Sequence, residues 1–157
     1  MATRSTIALE FADGTVGMIY CHWDGYLDHN GRILQEHYTD PFKVRELIDL
    51  GDLSSLRPQL GTQHPFSSIG TMDSAEYEKQ FGDMCTFYGR DRGETGINAR
   101  YFKNFEEYAR EHQREEYEYI LRNVNGKATW FVDTYGHDGE FMTIEDAIAF
   151  QEERDVA

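Results

Sequence analysis

The sequence predicts an α+β fold whose mainly antiparallel sheet is built from N-terminal and C-terminal hairpins, with about four helices packed on it. Two hairpin patterns and several capped, periodic helical segments support this class. A chain of 157 residues with 39% hydrophobic and 14% aromatic content can bury a core without disulfides. We therefore expect a single domain over residues 1–157.

The N-terminal hairpin is predicted from two apolar runs, residues 5–11 and 15–21, on either side of an Asp13-Gly14 turn. Apolar side chains on both faces of the second run are typical of a central strand. This strand leads into a turn-rich loop over residues 22–31.

The C-terminal hairpin is the clearest one. Residues 117–121 alternate in polarity, Asn125-Gly126 is a strong two-residue turn signal, and residues 128–132 return. A further strand is predicted at residues 84–88.

Helices are predicted where a capping residue precedes an apolar stripe. Asp40 and Pro41 favour a helix start, and Gly51 favours its end. The predicted helical segments are residues 32–38, residues 41–50, a brief helix at 74–80, one that begins at Asn104 with Glu107 as capping partner, and one capped by Thr143.

The apolar stripe of the last helix is predicted from Ile144, Ala147 and Ile148, and Phe150 or Gln151 extends it. Three other segments have weaker patterns. Residues 52–56 are expected to form a short connector, residues 57–83 an irregular excursion, and residues 89–94 a polar turn.

The charge of the chain limits its partners. It has 29 acidic and 15 basic residues, a net charge of −14 with histidine neutral. This field disfavours direct binding to nucleic acid or to an anionic membrane, and it favours a protein with a basic surface. The N-terminus lacks a signal-peptide pattern and no run is long enough to span a bilayer, so a cytoplasmic protein is expected.

The loop that follows the second strand contains the first candidate ligand-binding residues, His22, Trp23, Asp24 and Tyr26. Imidazole and carboxylate groups invite a metal interpretation, but no two ligands have the spacing that places them on one side. No metal or cofactor is therefore predicted. The alternative is a loop anchored by its aromatic residues.

Arg90 and Arg92 are the second candidate pair, because guanidinium forks suit a phosphate or a carboxylate. The alternative is a salt-bridged turn with neighbouring acids. Cys21 and Cys85 lie in apolar runs, where a buried, inert thiol is commoner than a nucleophile. Catalysis is therefore not the favoured interpretation.

The third feature is acidic surface in the last third of the chain. If its two acidic segments share one face, they would attract the basic groove of another protein; the alternative is ordinary solubility. The candidate partner-binding residues are Glu106, Glu107, Glu111, Glu115, Glu116, Glu152 and Glu153.

Several segments carry a family resemblance. They are residues 1–8 (MATRSTIA), 19–26 (IYCHWDGY), 29–31 (HNG), 37–38 (HY), 51–56 (GDLSSL) and 87–94 (FYGRDRGE). The chain resembles a group of small acidic proteins that bacteriophages and mobile elements encode, a group with no assigned activity. The resemblance implies a phage origin and expression in the cytoplasm of a bacterial host.

Three functions are compatible with these observations. The first is a non-catalytic phage protein that binds a host factor, such as a defence nuclease complex, through an acidic, DNA-mimic-like surface. The alternative is a small nucleotide-binding sponge or enzyme that uses the loop at 22–31 with Arg90 and Arg92. A third interpretation is a phage assembly component that associates with itself as a homodimer.

Overall fold

The computed structural model of the chain describes residues 2–64, 74–134 and 140–156. Within these residues, eight strands form one sheet and six α-helices accompany it. The strands are β1 (Ser5–Glu10), β2 (Val16–Cys21), β3 (Leu53–Ser55), β4 (Thr86–Phe87), β5 (Arg100–Phe102), β6 (Tyr117–Val124), β7 (Lys127–Thr134) and β8 (Met142–Thr143). The helices are α1 (Arg32–His37), α2 (Pro41–Leu50), α3 (Ser74–Phe81), α4 (Tyr88–Arg92), α5 (Phe105–Glu111) and α6 (Ile144–Val156). A turn of π-helix at Leu27–Gly31 precedes α1.

The α+β class and the mainly antiparallel sheet are confirmed. The strand order is β4-β3-β2-β1-β6-β7-β8, and β5 also pairs with β2. Both predicted hairpins form, β1 with β2 and β6 with β7. A parallel pairing of β1 with β6, with Ser5 opposite Tyr117, joins the two hairpins into one sheet.

The first face of the sheet holds the larger core. Alternate residues such as Ile7, Ile19 and Leu121 point to this face and are 0–1% exposed. The helices α1, α2 and α6 pack on it, as does the π-helical turn. The helical residues in this core are Leu27, Leu34, Val44, Leu47, Ile48, Ile144, Ala147 and Ile148.

The second face carries a smaller apolar cluster and one helix. Ala8, Met18 and Ile120 point to this face and pack with Tyr108 of α5. The rest of this face is polar. Its open part lies over the first residues of β1 and the last residues of β2.

The predicted capping residues are confirmed. Asp40 accepts a hydrogen bond from the Phe42 backbone N–H at 3.0 Å at the start of α2. Asn104 accepts from Glu107 N at 2.9 Å at the start of α5. The Thr143 hydroxyl accepts from Asp146 N at 3.1 Å at the start of α6.

Three local predictions were wrong. The connector at 52–56 contains β3, whose Leu53 pairs with Cys21 of β2. The strand at 84–88 shortens to Thr86–Phe87, and the polar turn at 89–94 is largely the helix α4. Leu53 joins the sheet by pairing with a distant strand, which no local pattern specifies. At the other two segments a local contact decides, because the Asp91 carboxylate accepts from Phe87 N at 2.8 Å at the start of α4.

The irregular excursion is described only in part. Residues 65–73 lie outside the described residues, and the brief helix predicted at 74–80 forms as α3. Residues 57–64 follow β3 without a strand of their own apart from a bridge between Gln59 and Met84. In the described portion of the chain, no helix combines the length and the apolar character needed to cross a membrane.

Candidate functional site

The predicted ligand loop begins with a contact between His22 and the strand before it. The Tyr20 hydroxyl and His22 Nδ1 lie 2.8 Å apart, and both residues are on the second face of the sheet. Trp23 packs edge-on against the His22 ring, with 4.7 Å between the ring centroids, and remains 43% exposed. The structure therefore brings His22 and Trp23 together at the surface.

The remainder of this loop is fastened to the sheet through its backbone. Asp24 takes a left-handed conformation with φ of 57°, and Gly25 N donates to Thr3 O at 2.8 Å. The Tyr119 hydroxyl donates to Gly25 O at 2.6 Å. Tyr26 starts the π-helical turn and is 40% exposed. These anchors favour the structural alternative for Asp24 and Tyr26.

Asn30 explains why the loop is compact. Its buried side-chain amide donates to Ser5 Oγ at 3.3 Å, Cys21 Sγ at 3.5 Å and Trp23 O at 3.4 Å. Asparagine in this position ties the end of β2 to the start of β1.

Arg90 makes its contacts inside the molecule. Its Nε donates to Asp91 Oδ1 at 3.0 Å, and its two terminal nitrogens donate to the carbonyls of Gly61 at 3.1 Å and Cys85 at 3.0 Å. The side chain of Asp91 is fully buried, so loss of this cation would leave an unpaired buried carboxylate and destabilise the fold.

Arg92 is placed differently from Arg90. Its Nε lies 3.1 Å from Glu94 Oε2, and both side chains are about half exposed. The two arginines thus have the geometry of the salt-bridged alternative. A ligand-binding role for them stays a prediction.

Both thiols are buried in the core of the first face. Burial raises the pKa of Cys21 from 9.0 to about 12, against a smaller lowering by the hydrogen bond from Asn30. Burial also raises the pKa of Cys85, which lies 3.2 Å from the Tyr38 hydroxyl. Both thiols are therefore protonated at neutral pH, and a protonated thiol is a poor nucleophile.

The two acidic segments lie on opposite faces of the sheet. Tyr108 places α5 on the second face, whereas Ile144 and Ala147 place α6 on the first. The condition that the two segments share one face, on which a common acidic surface depends, is therefore not met. The exposed carboxylates of α5, such as Glu106 and Glu111, belong to a separate surface from those of α6.

Three further acids of the first segment lie in α5 or between α5 and β6. Glu107 Oε2 accepts from Lys103 N at the start of α5. Glu115 is half-buried, and burial raises its pKa. Glu116 Oε1 accepts a long hydrogen bond from Arg4 N at 3.4 Å.

An exposed aromatic residue distinguishes α6 from α5. Phe150 is 49% exposed, and helix geometry places Asp146 one turn before it and Glu153 one turn after it. Glu152 and Glu153 are also exposed, and Glu152 forms a 3.3 Å ion pair with Arg32. We call the surface formed by Glu145, Asp146, Phe150, Glu152 and Glu153 the acidic α6 face.

Of the two alternatives for extending the apolar stripe, Phe150 or Gln151, the structure selects Gln151. Gln151, one helical turn beyond Ala147 and Ile148, is the partly buried residue instead. The 3.6-residue period favours 144, 147, 148 and 151, so a stricter use of the period identifies Phe150 as an outward aromatic residue. A groove of about 160 Å³ lined by Leu27, Met142 and Ala147 runs beside it.

Neither a metal cluster in the described residues nor a match to a known protein defines the candidate site further. Across residues 2–64, 74–134 and 140–156, no three histidine, cysteine or acidic side chains converge as a metal site would require. Comparison of the chain with protein-family models, with curated proteins and with solved structures found no match.

Proposed function

We propose that this chain is a phage-encoded, non-catalytic protein that binds a basic surface of a host protein in the bacterial cytoplasm, and that the acidic α6 face makes the contact. The observation that carries the proposal is Phe150, a half-exposed aromatic residue with Asp146 one turn before it and Glu153 one turn after it, beside the Arg154 guanidinium at 6.0 Å from its ring.

The chemistry of this face suits a protein partner. Aromatic residues that insert into a partner supply much of the binding energy of an interface, and the charges around them exclude water and select the partner. The exposed carboxylates also act at a distance, because a net charge of −14 accelerates encounter with a cationic surface.

The partner class follows from the sign of the charge. A nucleic-acid-binding subunit, for example in a defence nuclease complex, presents the basic groove that this face would occupy. The DNA-mimic-like surface is assigned to α6 alone, because the carboxylates of α5 are on the opposite face of the sheet.

The test begins with capture. The tagged chain is incubated with bacterial host lysate at low salt, where such contacts are strongest. The captured protein is identified, purified and titrated against the chain at several salt concentrations. We expect a binary complex whose affinity falls steeply as salt increases. Failure to capture any protein at low salt would overturn the proposal.

Matched charge reversals then locate the contact. The pair Glu152→Lys and Glu153→Lys changes the acidic α6 face, and the pair Glu106→Lys and Glu111→Lys makes the same charge change on α5. We expect the α6 pair to weaken binding by at least about tenfold and the α5 pair to have a small effect. Phe150→Ala should weaken binding as well. Equal losses from the two charge reversals would contradict the assignment to α6.

The alternative, a nucleotide-binding site that uses Arg90 and Arg92, has less support. The Arg90 guanidinium already donates to Asp91 and to two backbone carbonyls. A phosphate there would have to displace these internal contacts.

A further inference from the structure

A second surface, unrelated to the acidic α6 face, lies on the open part of the second face of the sheet. Thr6, Met18 and Tyr20 form the strand side of a cleft of about 330 Å³. Arg4 and Arg100 reach it from opposite sides of β2, because one precedes β1 and the other lies on β5. Two of the chain's 15 basic residues therefore meet in one cleft.

Arg100 is held in place by the carboxylate of Asp52. It forms a two-point ion pair with Asp52, with Nη1–Oδ1 at 2.8 Å and Nη2–Oδ2 at 3.1 Å. Asp52 is buried and also accepts from Tyr20 N at 2.9 Å. The Arg100 side chain stays 44% exposed, and a guanidinium has five N–H donors, so donors remain for a ligand.

Arg4 is the cation with fewer commitments. Its guanidinium lies beside the Tyr20 hydroxyl and near the Glu115 carboxylate, and it forms no ion pair within the described residues. Glu115 and Gln113 complete the rim of the cleft. Tyr20 thus lies between two guanidinium groups, of which Arg100 is fixed by its ion pair and Arg4 is held only by weaker contacts with Tyr20 and Glu115.

The floor of the cleft contains an unsatisfied hydroxyl. Thr6 is 1% exposed, and its Oγ1 has no hydrogen-bond partner of good geometry among the described residues. The Tyr108 hydroxyl lies beside it, and the two hydroxyls interact with each other. Only one of the two can donate to the other, so one buried O–H donor at the floor of the cleft is left for a ligand atom or an ordered water.

We propose that this cleft binds the oxyanion group of a small ligand, a phosphate monoester or a carboxylate, through Arg4 and Arg100. Both groups are planar or tetrahedral oxygen clusters that guanidinium forks recognise. The Thr6 hydroxyl and the Gln113 amide bind the polar remainder of the ligand. The ligand is small, because the cleft is at the low end of the volumes of known ligand sites.

The test measures binding of three probes to the full chain at 150 mM salt by calorimetry and by melting temperature. The probes are inorganic phosphate, adenosine 5′-monophosphate and succinate. We expect saturable binding of at least one probe with a rise in melting temperature. Phosphate-containing probes and succinate separate the two oxyanion sources. Absence of saturable binding for all three at millimolar concentration would overturn the proposal.

Variants assign the binding to this cleft. Arg4→Gln should lower affinity about tenfold, and Glu115→Gln should raise it, since a carboxylate at the rim repels an anion. Arg110→Gln removes the same charge from the exposed surface of α5 and serves as the control. If Arg4→Gln and Arg110→Gln bind the probe equally well, the cleft is not the site.

Thr6→Val separates a binding role from a structural one. The valine keeps the shape of the side chain and removes a hydroxyl that has no hydrogen-bond partner of good geometry, so the melting temperature of the free protein should not fall. The affinity for the probe should fall severalfold. A lower melting temperature with unchanged affinity would contradict the role of Thr6. The α6 charge-reversal variant should bind the probe normally, so this proposal and the proposed function fail independently.

Discussion

The two faces of the sheet are built on different principles. The first face is covered by three helices and is apolar, with residues such as Ile7, Ile19 and Leu121 fully buried. The second face has only α5 over it within the described residues, and its buried positions include ionisable groups. The first face therefore stabilises the fold through its buried apolar surface. The second face combines a small apolar core with buried polar groups, each of which needs a hydrogen-bonding or ionic partner.

A polar row across four strands defines the second face. The pairings place Tyr20, Thr6, Glu118 and Asp133 side by side on β2, β1, β6 and β7. Such a row in the middle of a sheet is costly without partners. His112 from the end of α5 and Arg114 supply them, at 2.6 Å from Glu118 and 3.3 Å from Asp133.

His112 is the partner on which this row depends most. Its Nδ1 donates to the Tyr108 carbonyl, its ring stacks on Tyr108 at 4.2 Å, and its Nε2 lies 2.6 Å from Glu118 Oε1. The His112 and Glu118 side chains are 0% and 3% exposed. The pair is thus a buried one, for which loss of a single partner is far more costly than loss of both.

The largest effect should come from breaking this pair. His112→Ala leaves the Glu118 carboxylate buried and short of a donor, and we expect a loss of about 3–5 kcal/mol in the free energy of unfolding. Urea denaturation measures it. The double variant His112→Leu with Glu118→Leu should recover most of the loss. A double variant as unstable as the single one would show that the second face depends on packing, like the first.

Adjacent residues on β2 compare the two faces directly. Ile19 points to the first face and is 0% exposed, and Met18 points to the second and also lines the open cleft. Ile19→Ala should cost about 2–5 kcal/mol. Met18→Ala should cost less, because water from the cleft can fill the space. Equal losses in urea denaturation would mean that the second face is as well packed as the first.

Alkaline pH should destabilise the protein mainly through buried groups of the first face. Between pH 9 and about 12 the unfolded chain loses the Cys21 proton and the native chain retains it, since burial raises the native pKa. Stability is therefore complete below pH 9 and falls as pH rises, by up to about 1.4 kcal/mol per pH unit for each buried thiol. Urea denaturation at pH 8 and pH 10 measures the slope, and Cys21→Ala should reduce it. A slope unchanged by that variant would assign the effect to Cys85 and the buried tyrosines instead.

The smallest effects should come from the helix caps. Asp40→Ala on α2 and Asn104→Ala on α5 each remove one side-chain acceptor and should cost about 1 kcal/mol. Their local consequences should differ. Loss of Asn104 should increase amide hydrogen exchange throughout α5, because no second helix supports it on that face in the described structure. Exchange in α2 should change little, since α1 and α6 share its core. Similar exchange in the two variants would remove this distinction.

Local signals account for what the sequence could predict. Asp40-Pro41, Asn104, Thr143 and Asn125-Gly126 specify their caps and turn within a few residues, and the helices α2, α5 and α6 and the C-terminal hairpin follow from them. The parallel pairing of β1 with β6 and the short strand β5 have no local signal. They depend on contacts that form only when the sheet assembles.

The same distinction applies to the candidate sites. His22 and Glu152 could be selected from composition, but Arg4 and Arg100 are 96 positions apart and meet only through β2. The separation of the two acidic segments onto opposite faces is likewise decided by packing. Arg90 is the exception, because its neighbour Asp91 was a visible partner in the sequence.

The pairing of β1 with β6 also determines when the protein can fold. Ser5 and Tyr117 are neighbours in the sheet but 112 residues apart in the chain. At ribosomal rates the N-terminal hairpin therefore waits on the order of ten seconds for the strand that covers its edge. Until then Ile7 and Leu9 have only β2 and the first helices for cover. Residues late in the chain thus complete the structure of residues near its start, and such long-range pairing favours slow folding.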